Sequence, residues 1–295
     1  MQFADGPAIP FSDPGTRHRE GNIQFKYLLK GQEGSPQNYE LSVVRTTDRF
    51  YGPPHRHNFD QVRWVLSGTF GEPGKLVLHQ GEVGYYPEGT PYQIDSGDTE
   101  VLLLQFGGAS GHGFTHYDQL RSFYPVLAQK GEFKDGIFRW HTPPAGGPRQ
   151  QDGYEALWEV INGKPLTYPK PRYRHPTLMN PEAFDWMPAA DRGVQQRELG
   201  RFTERHIAIA QVRVQAGAQA RLRSPDTVRL FYVLQGAGRA GERDLKAGCA
   251  FELVRGAEVA VSATDTLVLL DLHLPHFETA PVTAARASQP AESLA

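Results

Sequence analysis

The feature that most constrains this 295-residue chain is an internal repeat. His55-Arg56-His57 is followed by three residues, Gln61, six residues and Gly68. Gly81 comes next, then five residues, Pro87-Glu88-Gly89 and, after two more, Tyr92. The same frame returns downstream as Arg223-Ser224-Pro225, Arg229, Gly236, then Gly248, Val254-Arg255-Gly256 and Val259. Trp64-Val65-Leu66-Ser67-Gly68 aligns with Tyr232-Val233-Leu234-Gln235-Gly236 across that gap. The offset is 168 residues and falls to 167 after one short gap. Self-similarity at a fixed spacing predicts a duplicated module.

Both copies read as β-structure. Strand-like runs fall at 23–29, 39–46, 62–66, 75–78, 83–86 and 101–106, punctuated by Gly52-Pro53-Pro54, Ser67-Gly68 and Ser96-Gly97-Asp98. The second copy repeats the style at 206–214, 228–234, 250–254, 258–261 and 266–272. Many short strands at close spacing predict a sandwich or a closed barrel, because closure removes exposed edges. With 39% hydrophobic and 22% charged residues the chain can build a sizeable core. Its net charge of −2 supplies no field to recruit nucleic acid or an anionic membrane, so neither is expected as a partner. The single cysteine, Cys249, excludes an intrachain disulfide framework and a Cys-rich zinc site, and a cytoplasmic setting is expected. The polar, Pro-rich start has no apolar leader core. Apolar runs such as Leu267 to Leu270 fall far short of the ~20 residues of a membrane span.

Between the copies the pattern changes. Leu120, Phe123, Tyr124 and Leu127 lie on one helical face, although Pro125 interrupts the window. Tyr154, Leu157, Trp158 and Ile161 form a second such face, ended by Asn162-Gly163. From Pro165 to Pro188 a Pro-studded stretch carries Tyr168, Tyr173, Phe184 and Trp186, aromatic anchors that predict an extended connector lying against a barrel. The expected division is a first barrel over 1–110, a helical and Pro-rich connector over 111–191, a second barrel over 192–277 and a disordered tail over 278–295.

The first frame resembles the cupin superfamily, whose HxH, Glu and Gly motif is followed by a G-x5-PxG-x2-H motif. The resemblance covers about 39–107 and 206–274, so the whole resembles a bicupin. It implies a mainly all-β fold of two antiparallel cupin barrels (double-stranded jelly rolls) joined by a partly helical connector. Cupins include dioxygenases, isomerases, decarboxylases, lyases, sugar-binding regulators and storage proteins, so function rests on the site.

A typical cupin holds a divalent metal on two His and a Glu of the first motif and a His of the second. Carried over, those positions are His55, His57, Gln61 and Tyr92. His55 and His57, two apart on a strand, point to one face. Two imidazoles suit Fe first, with Mn, Ni, Cu or Zn as further candidates. The implied metal ligands are therefore His55, His57 and Gln61. Tyr92 and Gln61 are the implied catalytic residues, handling protons or hydrogen-bonding bound oxygen. Gln61 offers only a neutral amide oxygen, and the lost carboxylate lowers the affinity expected for a cation. The alternative is a relic HxH pair lining a metal-free pocket.

Other residues compete for roles. His79 reads as a rim histidine. His112 and His116 flank a Gly-rich segment that can supply a fourth ligand or a base, or simply start a helix. Arg63, Trp64, Tyr85 and Tyr86 alternate between lumen and outside. In the second barrel Arg223, Pro225, Arg229 and Val259 stand at the ligand positions, and Arg cannot ligate a metal. No cofactor is expected there. Arg221, Arg223 and Arg229 form either an anion clamp or exposed surface pairs. Cys249 reads as an inert buried thiol. The leading expectation is a small-molecule enzyme, a metal-dependent oxygenase acting on an aromatic or diketone-like substrate, working as a homodimer. A metal-assisted isomerase or lyase and a non-catalytic small-molecule binding protein are the alternatives.

Overall fold

The computed structural model describes residues 1–16, 18–35, 38–111 and 114–277. His112 and the 278–295 tail, for which a ligand role and disorder were expected, lie outside the described residues.

The first barrel is built on an antiparallel sheet in the order Thr177–Met179, Val83–Tyr86, Asp60–Glu72, Thr99–Phe106, Tyr39–His55, Glu20–Lys30. Leu76–His79 pairs with Asp60–Glu72, and Tyr92–Ser96 pairs with Tyr39–His55. The second barrel has a seven-stranded sheet centred on Arg229–Gln235, Leu267–His273 and Ile207–Val214. It faces a four-stranded sheet of Gln219–Ser224, Ala257–Ala263, Ala237–Ala240 and Arg243–Lys246. This is the double-barrel architecture that the repeat implied.

The duplication extends to irregularities. Register slips between Val65 and Ser67 in the first barrel, and between Val233 and Gln235 in the second. Each slip is followed by a glycine with positive φ, Gly68 at 77° and Gly236 at 85°. A Cβ at Gly68 would meet the Asp98 carbonyl oxygen at 2.3 Å, and one at Gly236 the Thr266 carbonyl oxygen at 2.1 Å. Only glycine meets both demands, which is why it recurs at the same step of the frame.

Alternation decides what each face does. On Asp60–Glu72, Val62 and Trp64 join Leu102, Leu104, Tyr85, Phe202, Leu230, Tyr232, Leu270 and Leu272 in one core that lies between the two barrels. Gln61, Arg63 and Val65 face the first lumen. With both faces covered, Val101–Leu104 and Leu267–Leu270 become continuous apolar runs. Each buried aliphatic or aromatic side chain contributes about 1.5–3 kcal/mol, so the barrels are held together by core packing. The extreme N-terminus also crosses over: Phe3–Ala4 pairs with Ala250–Leu253 of the second barrel.

Gly52-Pro53-Pro54 is not the turn that its composition suggested. It lies inside Tyr39–His55, where the pairing to Tyr92–Ser96 skips from Gly52 to His55. The prolines have no N–H to give the ladder, so they occupy the unpaired bulge.

The connector holds more β-structure than expected. Helix α1, Tyr117–Ala128, runs through Pro125, which leaves the Arg121 carbonyl without its helical donor. Helix α2, Gly153–Asn162, is capped by the Asp152 carboxylate, which accepts from the backbone N–H groups of Tyr154 and Glu155. Gly163, at φ 64°, ends it. Between them lies a three-stranded sheet of Gly131–Lys134, Ile137–Trp140 and Gln150–Asp152. Strands this short carry no readable period. Leu120, Leu127, Phe138, Tyr154, Leu157 and Trp158 pack with Phe59 of the first barrel, so the connector closes that barrel's mouth. The Pro-rich stretch lies along the barrels as expected, with Trp186 held between the guanidinium groups of Arg197 (4.4 Å) and Arg213 (4.3 Å).

Candidate small-molecule site in the first barrel

The first lumen encloses a cavity of about 70 Å³. Ile23, Phe25, Phe50, Ile94, Leu103 and Phe114 are among its apolar walls, and its polar wall gathers His18, Arg19, His55, His57, Gln61, Arg63, Tyr92 and Gln105. The frame residues His55, His57, Gln61 and Tyr92 are thus brought together.

The bulge at Pro53 orients His55. Its Nδ1 lies 2.6 Å from the Pro53 carbonyl oxygen. A carbonyl only accepts, so Nδ1 carries the proton and Nε2 keeps a free lone pair. The His57 ring lies 5.0 Å from that of His55, edge-on, and stacks on Phe59 at 4.5 Å. His57 Nδ1 is buried without a hydrogen-bond partner. Burial, with Arg19 next, lowers His55 to about 3. Burial, then His55, holds His57 well below the usual range. Both imidazoles are therefore neutral at pH 7.

Gln61 and Tyr92 meet at Arg63. The Gln61 amide oxygen accepts from Arg63 Nη2 and from the Tyr92 hydroxyl, the latter at 3.1 Å. Arg63 Nη2 also donates to Tyr92 Oη at 2.8 Å. The guanidinium packs among the rings of Phe70 (4.6 Å), Tyr86 (4.5 Å) and Tyr92 (4.9 Å). Arg63 is 5% exposed, its Nη1 has no partner, and among the described residues it forms no ion pair. Each aromatic contact offsets ~0.5–2 kcal/mol, while burying an unpaired charge costs several kcal/mol. Burial raises the Tyr92 hydroxyl, with Arg63 pulling the other way, so the phenol keeps its proton at neutral pH.

Arg19 enters from the strand Glu20–Lys30 side and was not singled out by the sequence. It pairs with Asp152 at 2.9 Å and donates to the Gly136 carbonyl at 3.1 Å, pinning the connector to the barrel. Burial pushes the Asp152 carboxyl up, but Arg19 and His55 hold it below its ordinary value. This second cation is thus neutralised. His18, Tyr154 and Gln105 also line the cavity, and no sequence motif marked them. Arg63 was legible in part, because it shares the parity of Gln61.

The remaining expected residues go elsewhere. Tyr86 joins the lumen, whereas Tyr85 and Trp64 pack between the barrels. His79 is an exposed residue at a strand end. His116 is the N-cap residue of α1, 3.3 Å from Glu33, and does not line the cavity. Arg221 and Arg223 point outward, Arg223 to Glu258 at 3.2 Å, while Arg229 turns inward to Asp271. The three arginines form no common clamp. Where the first barrel has a cavity, the second is filled by Phe231 stacked on Phe251 at 4.9 Å, with Leu222, Val233, Val261 and Leu269 around them. Cys249 is buried in that core.

The donors bear on a metal. Two neutral imidazoles are available, but the amide of Gln61 and the phenol of Tyr92 are engaged by a guanidinium, itself a cation beside the place an ion would take. Among the described residues no three His, Cys, Asp or Glu side chains are grouped to hold a metal ion. These side chains, as arranged, do not fit the four-ligand shell that the resemblance implied.

No protein-family model matches the chain, and no curated protein matches its sequence. Solved structures do resemble it. A candidate dioxygenase from Nostoc punctiforme matches with a TM-score of 0.58, at 12% identity over 92% of this chain and 81% of that one. Oxalate decarboxylase from Bacillus subtilis matches at 0.53, with 15% identity over 94% of this chain and 76% of that one. A further structure of that enzyme, from work on its Mn(II) centres, matches at 0.54 with 14% identity over 94% and 78%. At these identities the likeness is one of fold, and the fold is that of a bicupin. No helix among the described residues is long and apolar enough to cross a membrane.

Proposed function

We propose that the first barrel is the reaction chamber of a small-molecule enzyme and the second barrel its structural partner. The contrast between equivalent lumens carries this reading: the first holds a cavity with polar groups converging on it, whereas the second is filled with apolar side chains around Phe231 and Phe251 and is polar only towards the surface hollow lined by Pro225, Arg229 and His273. Within the chamber Tyr92 is the proton donor. Its hydroxyl is protonated, and Arg63 Nη2 at 2.8 Å stabilises the phenolate left after transfer. Gln61 orients that hydroxyl, and the Nε2 lone pair of His55 accepts a hydrogen bond from the ligand. Such a constellation suits an isomerase- or lyase-type proton transfer.

A second reading is a metal-dependent oxygenase acting on an aromatic or diketone-like substrate, with iron or another divalent metal on His55 and His57. What favours it is the pair of adjacent neutral imidazoles and the candidate dioxygenase among the similar folds. A homodimer and a reducing, cytoplasmic compartment belong to the proposal too; light scattering and fractionation test them.

Untagged protein and a His55→Ala/His57→Ala double variant, compared by mass spectrometry for metal, decide between the readings. Near-stoichiometric metal lost in the variant selects the oxygenase. Metal-free protein that binds small molecules, and loses them when Leu103→Trp fills the cavity, selects the proton-transfer chamber.

A further inference from the structure

Resting on the chamber reading, we infer that the ligand is a small monocarboxylate bearing a hydrogen-bond donor, with its carboxylate as the counter-ion of Arg63. The charge inventory of the lumen gives the class. Arg63 Nη1 is buried and unpartnered, and no Asp or Glu is among the residues lining the cavity. Arg19 already has Asp152 as its counter-ion. One uncompensated positive charge remains, so the missing partner is a monoanion. The N–H groups of the free Nη1 make charge-assisted hydrogen bonds to a carboxylate oxygen.

Size and walls narrow the class. About 70 Å³ accommodates roughly five to seven water-sized groups, which corresponds to a compact acid. Phe50, Phe70, Ile94, Val101 and Leu103 face the cavity, so the body of the acid is apolar. Gln105 pairs in register with Gln61 across the sheet, and its side-chain oxygen is buried without a donor. That acceptor and the His55 Nε2 lone pair call for a hydroxyl or N–H on the ligand.

The test uses isobutyrate, 2-hydroxyisobutyrate and the neutral isostere isobutyramide, titrated calorimetrically into the full-length protein. The acid is expected to bind at least about tenfold more tightly than the amide, and the hydroxy acid more tightly again. Arg63→Met should abolish the preference for the acid, and Arg63→Lys should restore part of it, both variants being checked for a native melting transition. Equal affinity for acid and amide, undiminished binding of acid to Arg63→Met, or no binding of any probe overturns the inference. Acid and amide binding of equal affinity that Leu103→Trp abolishes would overturn it and leave the chamber reading standing. Binding of any probe that Leu103→Trp leaves unchanged would remove the chamber as well.

Discussion

The Arg63 guanidinium donates to the Tyr92 hydroxyl at 2.8 Å while Tyr92 donates to Gln61 at 3.1 Å. Three side chains from two strands thus close a loop in which a buried cation is satisfied on Nη2 and bare on Nη1. The loop occupies the corner of the barrel where the resemblance would place a carboxylate and a metal.

The uncompensated charge has a cost to stability. Arg63→Met keeps the stem against Phe70 and Tyr86 and leaves Gln61 and Tyr92 bonded to each other. Its folding free energy should be unchanged or higher by ~1–4 kcal/mol in a denaturant titration without ligand. A loss of stability would mean that the charge is already well balanced in the free protein.

Gln61→Glu supplies the missing carboxylate beside Arg63. The new internal ion pair competes with an anionic ligand, so binding of small carboxylates should weaken by about tenfold or more. The same variant adds an anionic oxygen as a third donor beside the two imidazole nitrogens of His55 and His57, and its uptake of divalent metal should exceed that of the native chain by mass spectrometry. Tighter carboxylate binding in the variant would contradict the counter-ion role of Arg63.

Acid lability follows from the buried imidazoles. Burial, then Arg19, holds His18 at about 3, against its ordinary 6.5. As pH falls below 6.5 the unfolded chain takes up a proton that the folded chain refuses. The neutral ring's contribution is therefore complete above pH 6.5 and is lost progressively towards pH 3, at up to about 1.4 kcal/mol per unit. His18→Asn retains a donor for the Thr16 hydroxyl, 3.1 Å from Nδ1 in the native chain, and removes the titration. Urea midpoints measured from pH 7 to pH 4 should fall less steeply in this variant. Parallel curves would rule the assignment out.

In the second barrel two arginines of one sequence cluster should behave oppositely. Arg229 donates to the buried Asp271 carboxylate at 3.1 Å through Nε. Burial pushes Asp271 up, but His273 and Arg229 hold it at about 2. Arg229→Met leaves that buried carboxylate with His273 alone, 3.2 Å away, and should cost up to ~3–5 kcal/mol. Arg223→Ala breaks only an exposed pair with Glu258, worth ~0–1 kcal/mol. Chemical denaturation of both variants checks the contrast, and equal losses would refute it.

The duplication was legible in the chain because strand alternation and turn glycines are local properties, and Gly68 with Gly236 mark the same bulge in both copies. Strand parity likewise put His55 and His57 on one face and Arg63 on the face of Gln61. The three-stranded sheet of the connector had no such signal, since Gly131–Lys134, Ile137–Trp140 and Gln150–Asp152 are held by pairing and packing. The character of each lumen was also out of reach. One position of the repeat holds Arg63 in one barrel and Phe231 in the other, and only the folded barrels reveal a bare cation beside a cavity in one and stacked aromatics in the other. Arg19 and Asp152, 133 residues apart, meet at the first cavity and cancel each other's charge there. Periodicity is written by chain neighbours, so the sequence by itself determined the strands and their faces. Enclosed volume and charge balance depend on residues distant in the chain, and only the tertiary structure decided them.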